Sequence, residues 1–95
     1  MERFRLIELF DLYSQFLTNK QILIAKEYLY EDLSYQEIAT NLNISKTAVY
    51  DTIKKVERLL IEFESKIGLL NFINNLKALH ISEVDFEIDN FLKGE

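Results

Sequence analysis

Apolar residues recur along the chain at steps of three and four. Leu6, Leu9, Phe10, Tyr13, Phe16 and Leu17 form such a series, which predicts a first amphipathic helix over about 3–17. Thr18-Asn19-Lys20-Gln21 has the capping-box pattern and predicts the start of a second helix, whose apolar face runs Ile22, Ala25, Leu29 with Tyr28 beside it. The pattern breaks at Glu31-Asp32-Leu33, which reads as a loop. A second capping box, Ser34-Tyr35-Gln36-Glu37, opens a short third helix of about 34–41 that buries Ile38, Ala39 and Leu42. Asn43 follows, a residue that tolerates the left-handed conformation of a tight turn. Ser45 then caps a long fourth helix, along which Val49, Ile53, Val56, Leu60, Phe63 and Ile67 make one apolar stripe. Gly68 is a stop or a kink. Leu69–Leu79 and Ser82–Leu92 read as two further short helices, the second capped by Ser82-Glu83-Val84-Asp85.

The order of a short helix, a three-residue turn and a long capped helix is that of a helix-turn-helix. Two helices that cross steeply need a small residue where their backbones approach, and Ala39 supplies it. Ile38, Leu42, Ile44, Val49 and Ile53 close the wedge between them. With 95 residues and no proline, the chain is expected to be one all-α domain, a small helical bundle over 1–95. The helix-turn-helix occupies about 34–63 and a helical tail about 69–92. Phe10, Tyr13, Phe16 and Phe63 are expected in the core. Leu59, Ile61, Leu70, Phe72, Ile73, Leu76 and Leu79 are more apolar surface than one short helix pair covers, which points to a homodimer through the fourth helix and the tail.

Charge sharpens the reading of the fourth helix. The net charge is −5, the wrong sign for an ordinary nucleic-acid binder. It is unevenly spread, however. Residues 1–44 carry 4 basic and 7 acidic side chains, residues 45–68 carry 5 and 4, and residues 69–95 carry 2 and 5. Only the middle stretch is positive. With Val49, Ile53 and Val56 inward, Thr47, Asp51, Lys54, Lys55 and Arg58 face outward. Thr47 is placed to meet bases, and Lys54, Lys55 and Arg58 to meet phosphates. Lys46 at the helix start and Tyr50 beside the basic group complete the candidate surface. By themselves these charges are those of an ordinary solvated helix face.

Other chemistry is poorly supported. There is no cysteine, hence no disulfide and no thiolate metal site, as fits a reducing cytoplasm. His80 is the single histidine and is expected in a loop or cap, not as a metal ligand. Glu83, Asp85, Glu87 and Asp89 read as a solvated face. Ser34 and Ser45 are caps with no histidine placed to activate them. No glycine-rich phosphate loop or membrane-spanning run stands out, and Met1-Glu2-Arg3-Phe4-Arg5, leading into an amphipathic stretch, is not expected to be a signal peptide. Neither enzyme activity nor a cofactor is expected.

Leu17-Thr18-Asn19-Lys20-Gln21, Leu33-Ser34-Tyr35-Gln36-Glu37-Ile38-Ala39 and Ile44-Ser45-Lys46-Thr47-Ala48-Val49 resemble the −35-reading region of bacterial sigma factors, region four. The resemblance to the YlxM family is closer. It is carried by Leu9-Phe10-Asp11-Leu12-Tyr13, Leu17–Gln21, Glu31-Asp32-Leu33-Ser34 and above all Ala48-Val49-Tyr50-Asp51-Thr52-Ile53-Lys54-Lys55-Val56-Glu57, and spans about 6–70. It implies a regulatory or accessory protein of the signal recognition particle pathway, with the particle's RNA or its GTPase as partner. The chain departs from the sigma pattern at Tyr50, Asp51 and Thr52, where sigma factors carry small polar or basic residues. Asp51 would repel phosphate there. Two further readings are a DNA-binding transcriptional regulator using the same helix and a structural dimer that has lost nucleic-acid binding.

Overall fold

The computed structural model describes residues 2–79. Five helices follow one another: α1 (Arg3–Tyr13), α2 (Asn19–Leu29), α3 (Tyr35–Leu42), α4 (Lys46–Ile67) and α5 (Leu69–Lys77). A 3-10 turn, Ser14–Phe16, separates α1 from α2. No strand occurs among the described residues, and the fold is all-α. His80 and the expected helix Ser82–Leu92 lie outside the described residues.

Local chemistry sets each boundary. Both capping boxes form: Thr18 accepts from the Gln21 amide and Ser34 from the Glu37 amide, while the Gln21 and Glu37 side chains accept from the cap amides in return. Asn43 ends α3 with φ of 55°, and the Ile44 amide donates back to the Ala39 carbonyl at 3.1 Å. Ser45 then caps α4 by accepting from the Ala48 amide at 3.0 Å. Gly68 ends α4 with φ of +69°, a conformation that costs a side-chain-bearing residue about 1–2 kcal/mol. The C-terminus of α2 is closed from afar. The Arg3 guanidinium donates to the Tyr28 and Leu29 carbonyls, lies over the Tyr28 ring and pairs with Asp32 at 3.2 Å. A cation there also complements the negative end of the helix dipole.

Helix α4 is the axis of the molecule and packs against all four other helices. Its first half meets α3 and one face of α2, where Ile24, Ile38, Ala39, Val49 and Ile53 form a buried cluster. Its second half meets α1, the other face of α2, and α5, burying Leu6, Leu9, Phe10, Tyr13, Leu17, Ala25, Leu29, Val56, Leu60 and Leu70. Ala39 is buried at the α3–α4 crossing, where the sequence places the small residue.

Four expectations change. Phe16 is not core: the 3-10 turn shifts it off the apolar stripe and leaves it 53% exposed, its ring against those of Tyr13 and Phe63. Ile67, the last residue of α4, is also 53% exposed. Ile24, absent from the expected face of α2, is fully buried because that helix serves two clusters at once. Leu70 and Ile73 are buried within the chain, since α5 folds back onto α1, so they do not belong to a free apolar surface. Exposed Ile61, Phe72 and Leu79 are what remains of it.

Candidate nucleic-acid interface

The apolar period of α4 decides which side chains face out. Val49, Ile53 and Val56 are buried against α2 and α3 or α1. Lys46, Thr47, Tyr50, Asp51, Lys54, Lys55 and Arg58 are exposed, so the six expected site residues share the outer surface of one helix. Thr52, between them, is turned inward and donates its hydroxyl to the Ala48 carbonyl at 2.8 Å.

Those cations are not equivalent. Lys54 lies over the Tyr50 ring, its Nζ 5.5 Å from the centroid, and also reaches Glu57 at 3.7 Å. Arg58 acts on Glu62, whose carboxyl is held below the usual range by Lys66 first and by Arg58 as well. Among the described residues, Lys46 and Lys55 make no ion pair and present their charge to solvent. Between Lys46 and Arg58 the helix carries four cations and, in Asp51 and Glu57, two anions. The positive end of the helix dipole lies at its Lys46 end and adds to the same field.

Sequence reasoning missed the aromatic support beneath Tyr50. Tyr35, from the first turn of α3, meets Tyr50 nearly edge to face, with ring centroids 5.6 Å apart and 78° between planes. Tyr35 in turn stacks on Tyr28 of α2 at 5.5 Å and 30°. The three tyrosines form a row across α2, α3 and α4 with Arg3 at one end and Lys54 at the other. Spacing along the chain carries no signal for this, since each ring comes from a different helix.

Three tyrosine hydroxyls resist ionisation. Burial, followed by the Tyr28 side chain, pushes Tyr35 up to about 12. Burial and the hydrogen bond to Asp11 raise Tyr30, and burial and the hydrogen bond to Glu64 raise Tyr13. Each keeps its proton longer in the folded chain than in the unfolded one. Stability is therefore full below pH of about 10 and falls as pH rises beyond it. Thermal melts between pH 8 and 12 with parallel tyrosinate absorbance are expected to show that fall, reduced in Tyr35→Phe. A melting temperature flat to pH 12 would contradict it.

No group of three or more potential metal ligands occurs among the described residues. No described helix is long and apolar enough to cross a membrane.

Comparison with known proteins bears on the same scaffold. A family model described as "Putative helix-turn-helix protein, YlxM / p13 like", UPF0122, matches residues 1–88. A UPF0122 protein of Mycoplasma mycoides is 43% identical over 88 residues, covering 85% of this chain and 78% of the relative. One from Clostridium kluyveri is 39% identical over 85 residues, covering 90% and 77%. The UPF0122 protein YofM of Lactococcus lactis is 36% identical over 89 residues, covering 93% and 80%. The capped turn, the long fourth helix and the match over nearly the whole chain lead to one conclusion: this chain belongs to the UPF0122, YlxM/p13-like family of helix-turn-helix proteins.

Proposed function

We propose that this chain is a binding protein, not a catalyst, and that it engages nucleic acid through the exposed face of α4 as an accessory or regulatory component of the signal recognition particle pathway in the cytoplasm. The observation that carries the reading is the gathering of Lys46, Thr47, Tyr50, Lys54, Lys55 and Arg58 on one exposed helix face of a chain that is acidic elsewhere. A net charge of −5 keeps the rest of the surface away from phosphate, so contact is confined to that face. With Asp51 in the middle of it, affinity is modest and sequence discrimination poor. The particle's RNA is then at least as good a ligand as promoter-like DNA, and its GTPase is the protein partner expected beside it.

One observation favours a second reading. Ile61, Ile67, Phe72 and Leu79 remain exposed on α4 and α5 or just beyond. A homodimer through them that had lost nucleic-acid binding would explain the acidic charge. A transcriptional regulator is the third reading and demands sequence-selective duplex binding.

A titration of signal recognition particle RNA and of promoter-like duplex DNA across a salt series separates these. Each phosphate contact contributes about −0.9 to the log–log slope on duplex DNA and about −0.7 on single strands. The paired change Lys54→Glu/Lys55→Glu is expected to flatten the slope by the contribution of about two contacts. Tight sequence-selective binding to DNA would support the regulator. Unchanged binding by the charge-reversed pair would show that α4 is the wrong surface, and no binding to either ligand would leave the dimer reading.

A further inference from the structure

A duplex offers a docking helix base edges and phosphates, but its base faces are covered by their neighbours. Tyr50 is therefore a poor instrument for reading a duplex. It is 45% exposed in the middle of the cationic face, and its ring is braced by Tyr35, itself stacked on Tyr28. A rigid aromatic held at the surface among cations suits a different ligand, an unpaired nucleotide whose base has a free face and whose phosphate is flexible enough to find a lysine.

We infer that Tyr50 is a stacking platform for an unpaired nucleobase, so that the ligand of the α4 face is single-stranded or bulged nucleic acid. The inference rests on the reading that α4 binds nucleic acid and narrows it. In the free protein the Lys54 ammonium lies over the Tyr50 ring and pairs with Glu57. On binding, the base takes the place over the ring, and the ammonium leaves Glu57 for the phosphate of the same nucleotide. Lys46, four residues before Tyr50, and Lys55, five after it, take the phosphates on either side. Asp51 is compatible with this ligand in a way that it is not with a duplex. Asp51 lies three residues before Lys54 and four before Lys55 and repels phosphate on this face, so a flexible single strand, which can turn its backbone away from the carboxylate, fits better than a rigid duplex, which cannot. Charge complementarity also sets the occupant apart from an apolar protein partner, which would leave Lys46 and Lys55 unpaired at its contact.

The chain contains no tryptophan, so Tyr50→Trp introduces a single indole reporter at the platform. The probes are a short oligoadenylate as RNA, the same strand as DNA, and each annealed to its complement. Indole emission is expected to be quenched by both single strands and not by the duplexes, with single-strand affinity kept in Tyr50→Trp and Tyr50→Phe. Tyr50→Ala is expected to weaken single-strand binding by about 5- to 150-fold and duplex binding by less than about twofold. Equal quenching by RNA and DNA assigns recognition to the base and phosphate alone, and stronger quenching by RNA adds the ribose hydroxyl. Both results support the platform. Salt-sensitive binding by the wild type that Tyr50→Ala leaves unchanged, or weakens equally for strands and duplexes, overturns the stacking inference while keeping the α4 interface. Absence of binding by the wild type to every probe overturns both.

Discussion

Leu60→Ala is expected to destabilise the protein by about 2–5 kcal/mol, a large part of the roughly 5–15 kcal/mol that holds a domain folded. Leu60 is fully buried where α4 passes α1 and α5, among Leu9, Tyr13 and Leu70. Helices α1, α2 and α5 all pack on α4, so the space left by three carbons cannot readily collapse, and the change loses both transfer energy and packing. In a chain of this size the melting temperature should fall by at least about 8 °C. Ile61→Ala is the internal control. Its side chain is exposed, one residue away on the same helix, and its removal should move stability by no more than about 0.5 kcal/mol. Equal melting of the two variants would contradict the assignment of the core face of α4.

Glu64→Ala is expected to cost about 2–3 kcal/mol by freeing the start of α5. One Glu64 oxygen accepts from the buried Tyr13 hydroxyl at 2.6 Å and the Leu70 amide at 3.1 Å, and the other accepts from the Asn71 amide at 3.1 Å. The Tyr13 hydroxyl accepts in turn from the Leu69 amide at 3.1 Å. Three first-turn amides of α5, which Gly68 cannot cap with a side chain, are thus satisfied from α1 and α4. Without the carboxylate the Leu70 and Asn71 amides and the phenol lose their acceptor, leaving only the Leu69 amide held, by Tyr13, and Leu70 and Ile73 are held less firmly in the core. Glu64→Gln keeps one acceptor and should cost less. Hydrogen exchange should show lost protection in α5 before the rest of the molecule, and exchange unchanged from wild type in Glu64→Ala would refute the role.

These two sites mark where the sequence could and could not be read. Leu60 was legible because a buried helix face repeats at a local period. So were Thr18, Ser34, Asn43 and Ser45, because a cap or a left-handed turn is a matter between residues a few positions apart. Tyr13 and Glu64 are 51 residues apart, and nothing local pairs them. Arg3 closing α2 is hidden for the same reason. Phe16 was misplaced because a single 3-10 turn destroys the helical phase, and Ile24 because a helix between two clusters has two inner faces and no single stripe. On the candidate interface, the outward placement of Lys46, Thr47, Tyr50, Lys54, Lys55 and Arg58 follows from the phase of α4 alone. What the phase does not carry is the tyrosine row beneath Tyr50, which needs three helices already packed.

The α4 face is tested most directly by following the amide resonances of the nitrogen-15-labelled chain during titration with signal recognition particle RNA at low and at raised salt. The account predicts shifts concentrated at Lys46, Thr47, Tyr50, Lys54, Lys55 and Arg58, fading together as salt rises, with α5 unmoved. Shifts confined to Ile61, Phe72 and Leu79, or spread evenly over the surface, would contradict it.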